Sequence, residues 1–399
     1  MEAPSFALIP SGFKSQKVYS VIPESGVGDL LFDRSNNTAT RINKDGLIES
    51  VNADIPRLNY EVTNGVVDSC PHLLLEMNST NLVTYSEDFT QWSKNSGGTG
   101  VDPVITANIT TAPNGTLTAD KVVFNKGTGV STADLSILQV SFSSGSNTAS
   151  IYVKADNSQR IVIRNSGTWI AYDIGTEWVR IEKSDTGGSL QIGLRDGYGV
   201  SNVPNEATVF LWGAQVEAQN FATSYIPTSG STQTRASESC TRAGDVNTFN
   251  SVEGILYAEL KRDIATDTGF RRVVIDNANN NLENTVRLGY STVTDEIKGV
   301  VTVGGVTQCA LVFAGLSVTS FRKMALLYKA NQFELWVDGS KRAEDTSGST
   351  FPINTLNNLS FEQANGSDKL RAKVKDVRYY DTDGMTNTEI TNLLTQLTQ

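Results

Sequence analysis

The chain has 399 residues, 39% of them hydrophobic and 19% charged, which is room for two or three folded domains with polar, weakly charged surfaces. A formal charge of −10 with no Lys/Arg cluster argues against a nucleic-acid partner, because such binders need a cationic stripe to release counterions from phosphates. Thirty-three glycines, only ten prolines and abundant Ser, Thr and Asn favour strands joined by tight turns, so an all-β protein is expected.

The opening "MEAPSFALIPSGF" lacks the basic and long apolar regions of a secretory signal, and no stretch is apolar for long enough to cross a membrane. Residues 1–77 alternate short apolar pieces such as "FALIP", "KVYSVIP" and "DLLFD" with turn clusters such as Lys44-Asp45-Gly46. Pieces so short cannot bury much surface alone. They are expected to be extended, adding strands to a neighbouring module or to a partner chain. The run His72-Leu73-Leu74-Leu75 reads as a buried strand locking one module onto the next.

From 78 to 235 the pattern becomes period two. In "SLQIGLRD", Leu190, Ile192 and Leu194 alternate with Gln191, Gly193 and Arg195. "ASIYVKA", "QRIVIRN", "TEWVRIEK" and "ATVFLWGAQVE" repeat the theme between regularly spaced turns, predicting a jelly roll or β-sandwich. Residues 236–245, at the end of a polar Ser/Thr-rich stretch, are expected as a linker. A second sandwich is expected over 246–399. Its strongest hairpin signal is "NQFELWVDGSKRAED", with Asp338-Gly339 at the turn and Phe333, Leu335 and Val337 on one face. Thr386 and Glu389 form a capping box for one final helix, whose Ile390, Leu393, Leu394 and Leu397 share a face. That helix is expected against the last sandwich or a neighbouring subunit.

Candidate chemistry is sparse. His72 is the only histidine and has no evident orienting partner, which disfavours a histidine-based nucleophile. Cys70, Cys240 and Cys309 are odd in number and far apart, which fits reduced buried or half-buried thiols better than a disulfide framework or a zinc site. Asp263 with Asp267, or Asp381 with Asp383, would supply oxygens to calcium, although exposed turn carboxylates are commoner than ligands. A sugar site needs exposed aromatics beside hydrogen-bonding groups. Trp169 and Tyr172 near Arg164 and Asn165, and Arg195, Asp196 and Tyr198 on a turn, meet that need. Trp178 and Trp212 lie within regular strands and are expected to pack. Trp336 alternates with the core-facing Phe333, Leu335 and Val337, so with Ile390 and Leu394 it is a candidate oligomer contact.

The opening stretch through "TNLVTYSEDFTQWSK", together with "WGAQVEAQNFATSYIPTSGSTQTRASESC", resembles an architecture recurrent in phage structural proteins, notably of phages infecting Bacteroidetes. In that resemblance the middle block is similar to a carbohydrate-binding-module jelly roll. The last, with "FELWVDG" and "MTNTEITNLL", is similar to laminin-G or concanavalin-like lectin domains. It implies a virion fibre or surface-decoration subunit, on head or tail, made in a bacterial cytoplasm, trimeric, and touching other virion proteins and host-surface glycans. A passive stabilising role and a polysaccharide depolymerase are the alternatives. The resemblance also makes "CPHLLLE" the strand that enters the jelly roll, with Phe89 and Trp92 as core or edge aromatics just beyond it. The Glu-x-Asp-x-x-Glu strand that a likeness to sandwich glucanases would require is absent, Glu334 and Asp338 having no third acid, so no enzyme is expected.

Overall fold

The computed structural model describes residues 2–24, 26–63, 65–262, 271–278, 282–362 and 369–399. It is all-β, with a single α-helix and one 3-10 turn at Phe89–Gln91 among those residues. One curled sheet of eight strands runs Val101–Thr110, Ala119–Asn125, Glu206–Glu217, Leu135–Lys154, Val179–Arg195, Gln159–Asn165, Trp169–Ile174, with Ser93–Gly97 also beside Leu135–Lys154. Its alternating residues enclose a core that includes Phe124, Ile151, Ile163, Leu190 and Val216. Phe89 and Trp92 join that core, their ring centres 5.0 Å apart.

The second sandwich faces a five-stranded sheet of Arg271–Asp276, Thr285–Tyr290, Glu296–Val303, Val306–Ala314 and Asn358–Ser360 onto an eight-stranded one built around Gly254–Lys261 and Ala372–Asp381. The larger sheet takes three strands from the opposite end of the chain. Phe6–Leu8 and His72–Leu75 both pair with Ala372–Asp381, and Leu58–Asn59 extends the edge beyond them. The N-terminal region therefore does add strands to a module, but to the last one. His72–Leu75 does not enter the jelly roll: Leu73 and Leu75 point into the core of the final sandwich beside Phe6, Leu8 and Val374.

The jelly roll is thus inserted into a module made from both ends of the chain. Its entry strand Ser79–Asn81 and its exit strand Gln233–Arg235 pair with each other as a two-stranded neck. The expected linker at 236–245 contains a strand, Ser239–Thr241, hydrogen-bonded to Leu31–Asp33, with Cys240 fully buried. Its polar composition has a physical reason, because the surrounding residues satisfy a buried charge network. Glu238 accepts from Arg34 at 2.9 Å and from Arg57 at 2.7 and 2.5 Å. Glu76 pairs with Arg57 at 2.8 Å and Arg235 at 3.2 Å, and accepts from Ser224. Burial alone would raise the Glu76 carboxyl, but Arg235, Arg57 and the Ser224 donors hold it well below the usual carboxylate range.

The Asp338-Gly339 turn forms as expected, with φ of 46° and 76° and Val337 opposite Ser340. The helix spans Asn387–Thr398 with both capping-box bonds present. Its apolar stripe lies on the outer face of the larger sheet, where Ile390 and Leu394 pack with Trp336, Leu327 and Tyr380. Trp336 is 7% exposed and donates to Glu334 Oε2 at 2.8 Å. This corrects the expected oligomer contact, since Trp336, Ile390 and Leu394 cover one another within a single chain.

His72 is buried, with Asn59 Nδ2 3.1 Å from its Nε2. Burial, with Lys373 adding to it, pushes the imidazole down to about 3. The three cysteines are free, Cys240 and Cys309 buried and Cys70 exposed, so Cys70 departs from the expected burial. No helix among the described residues is long and apolar enough to cross a membrane.

Candidate functional site

Three neighbouring strands of the jelly roll share a polar outer face. Inward-pointing Ile151, Val153, Ile181, Leu211 and Val216 belong to the core, and the alternate residues point out. Cross-strand register sets those outward residues in rows. Tyr152 stands opposite both Trp212 and Arg180, Ser150 opposite Gln215 and Glu182, and Thr148 opposite Glu217 and Ser184. Gly213, at φ 64°, absorbs one extra residue in a bulge, so that Trp212 and Gln215 remain on one face.

The hairpin of Ala39–Ile42 and Ile48–Val51 lies across part of this face. Ile48 packs with Ala112, Ala119, Trp212 and Tyr225, and Thr40 Oγ1 donates to the Tyr225 carbonyl at 2.6 Å. Trp212 and Tyr225 are therefore covered, their ring centres 4.6 Å apart. Beyond the hairpin the face stays open. Two cavities of about 480 and 1100 Å³ share Ile42, Ile48, Tyr152 and Arg180 in their walls, so they form one groove. One end is walled by Glu182, Ser184, Asn220, Phe221 and Lys373, with Glu76 at its base, and the other by Thr111, Lys154, Glu177 and Trp178.

Inside the groove, Arg180 donates to the Thr223 carbonyl at 2.7 Å and to Ser150 Oγ at 2.8 Å, with its guanidinium 5.5 Å from the Tyr152 ring centre. Lys154 Nζ lies 5.2 Å from the Trp178 ring centre and 5.6 Å from that of Phe210. Trp178 is half-buried and donates to the Thr111 carbonyl at 3.1 Å. Such a surface can hold a polyhydroxylated chain through side-chain hydrogen bonds, with ring edges and charges fixing its path.

The residues singled out from sequence lie elsewhere on the same jelly roll and only partly converge. Trp169 is 5% exposed, enclosed by the Arg164 and Arg195 guanidiniums at 5.8 and 5.3 Å, so it is a core-edge residue rather than an open platform. Arg195 also stacks on Tyr198 at 4.5 Å. Asp196 turns to Lys126 at 2.6 Å, and Tyr172 donates to the Glu182 carbonyl at 2.7 Å. Tyr198 alone of the five is an exposed ring, 63% accessible, on a turn where Gly197, Tyr198 and Gly199 all have positive φ. Trp212 packs as expected, whereas Trp178 opens onto the groove. The missed signal lay in "ASIYVKA" and "TEWVRIEK", whose polar phase carries Tyr152, Lys154, Arg180 and Glu182 on one face.

Among the described residues no group of three or more His, Cys, Asp or Glu side chains converges as a metal site. Asp381 Oδ1 accepts from Asn250 and from the Asp383 backbone N–H, and Asp263 and Asp267 lie outside the described residues.

No family model and no curated protein matches the chain. Solved structures do. They include SCLam, a non-specific endo-β-1,3(4)-glucanase from family GH16, at 11% identity and a TM-score of 0.27, over 39% of this chain and 65% of that one. LamAcat from Zobellia galactanivorans matches at 14% and 0.26, over 39% and 73%. The tandem CBM22 domains of Paenibacillus barcinonensis Xyn10C match at 11% and 0.23, over 75% and 97%. This chain thus spans under two thirds of the first of these, and at such scores none carries an argument for an activity here. One expectation is nevertheless corrected. The chain was expected not to be an enzyme, but glucanases and a structure named as a native glycosidic hydrolase are among the matches, so that expectation does not stand.

Proposed function

We propose that the chain is a carbohydrate-engaging protein that holds an extended glycan along the groove between the 39–51 hairpin and the outer face of the jelly roll. The observation that carries this reading is the pair of adjoining cavities with four wall residues in common, set against rows of ring-bearing and hydrogen-bonding side chains. A compact pocket would fit a small molecule better, and a long open groove fits a polymer. The test is a glycan array with the full chain, followed by calorimetry on Trp178→Ala and Tyr198→Ala, with melting temperatures measured in parallel. The groove reading expects Trp178→Ala to weaken binding about tenfold or more and Tyr198→Ala to leave it unchanged. The reverse result would move the site to the Tyr198 turn. Release of new reducing ends from a bound glycan decides whether binding leads to cleavage.

The virion setting is proposed from the sequence resemblance alone: a fibre or decoration subunit on head or tail, contacting other virion proteins and host-surface glycans. Gold-labelled antibody on intact particles tests it. Trimerisation rests on the same resemblance, since Trp336, Ile390 and Leu394 no longer motivate it, and light scattering on the purified chain tests that.

A further inference from the structure

The aromatic rings of the groove are not bare. Lys154 Nζ stands 5.2 Å from the ring centre of Trp178 and 5.6 Å from that of Phe210, and the Arg180 guanidinium stands 5.5 Å from that of Tyr152. A ring face that holds a cation does not offer itself to the C–H face of a neutral sugar. What it offers is a positive charge held in place.

The other cations of the groove wall are already matched to carboxylates. Arg41 pairs with Glu49 at 2.6 Å and Lys373 with Glu61 at 2.7 Å. Arg180, by contrast, spends its described hydrogen bonds on neutral oxygens, the Thr223 carbonyl and the Ser150 hydroxyl. Of the acids, Glu76 is answered by the buried Arg57 and Arg235, and Glu177 and Glu182 stand in the groove wall. Resting on the carbohydrate reading, we infer that the groove selects anionic glycans, with Lys154 and Arg180 each receiving a carboxylate or sulfate group. A charge-assisted bond of this kind is about twice as strong as a neutral one. The net charge of −10 opposes non-specific capture of a polyanion, so binding of one requires a local site such as this groove.

The test uses the full chain and matched polymers: polygalacturonate against its methyl ester, and dextran sulfate against dextran. Each pair shares a backbone, and one member carries the anionic group. Binding of an anionic member about tenfold or more tighter than its neutral partner, weakened by about 0.5 M salt and lost in Lys154→Met, supports the inference. Which pair responds identifies carboxylate or sulfate as the group. Lys154→Met keeps the aliphatic stem, and Arg180→Gln is the second variant, each accepted only with its melting curve intact. Equal binding of the neutral and charged members, both lost in Trp178→Ala, overturns the inference and leaves the carbohydrate reading standing. Charge-dependent binding that survives both cation variants also overturns it. No binding to any of the four polymers, with no hit on the glycan array, removes the carbohydrate reading itself.

Discussion

The two sandwiches are assembled in opposite ways. The jelly roll draws its core from one continuous stretch, Val83 to Val216. The last sandwich draws its core from both ends of the chain: Phe6, Leu8, Val18, Leu30, Phe32, Leu58, Leu73 and Leu75 pack with Cys240, Phe249 and the strands beyond. Apolar pieces too short to fold alone are thus parts of a distant core, and a domain defined by its core need not be continuous in sequence.

The largest effect expected from this difference is in fragments. A 246–399 fragment lacks the N-terminal apolar residues and three strands of its sheet, so it should show no cooperative unfolding by circular dichroism. A 78–235 fragment should unfold cooperatively, but it should bind a hydrophobic dye because Trp212 and Tyr225 lose their cover. A folded 246–399 fragment would break the comparison.

Next in size are single side chains. Arg57→Met removes the cation that bridges Glu238 and Glu76, leaving the two buried carboxylates with Arg34 and Arg235 alone, and should cost up to about 3 to 5 kcal/mol, lowering the melting of both sandwiches. Trp212→Ala should cost a similar ~3 to 5 kcal/mol, read in the jelly-roll transition. Trp169→Ala should also destabilise, by about 3 kcal/mol or more, since its ring is enclosed.

Acid should act first on the composite sandwich. His72 is depressed from 6.5 to about 3, and Glu61 from 4.5 to about 2, burial being overcome in the latter by Lys373 and Lys261. In each case the unfolded chain binds a proton that the folded chain refuses, so this stability is present above the ordinary value and is lost as pH falls towards the depressed one. Denaturant midpoints should therefore decline below pH 6.5 and more steeply below 4.5. His72→Asn should flatten the upper part of that decline, by up to about 1.4 kcal/mol per pH unit. The smallest expected effect is Tyr198→Ala, within about 0.5 kcal/mol, since its ring is mostly exposed. A large loss there would show that the positive-φ turn depends on the Arg195 stack.

Alternation, the Asp338-Gly339 turn and the Thr386/Glu389 capping box were legible because each depends on neighbours a few residues away. Partners were not. Leu73 shows that it is buried but not that Val374 lies opposite. Arg57 and Glu238 are 181 residues apart, and nothing local marks either as half of a buried pair. The same gap explains the tryptophans. Trp169 looked exposed beside polar residues that in fact cover it, and Trp178 looked internal because the groove beside it is made by a hairpin more than a hundred residues upstream.

The paired entry and exit strands, Ser79–Asn81 and Gln233–Arg235, also determine how the molecule carries load. If a ligand held in the groove is pulled away from the body along the neck, tension runs down two covalent backbones in parallel, and the hydrogen bonds between them bear none of it. Motion of the jelly roll about the neck is resisted instead by the docked hairpin, where Ile48 and Thr40 meet Trp212 and Tyr225. Ser224, bonded to Glu76 and Arg57, adds a second tie beside the hairpin, so the orientation of the jelly roll is held by side chains and not by the ladder of its neck.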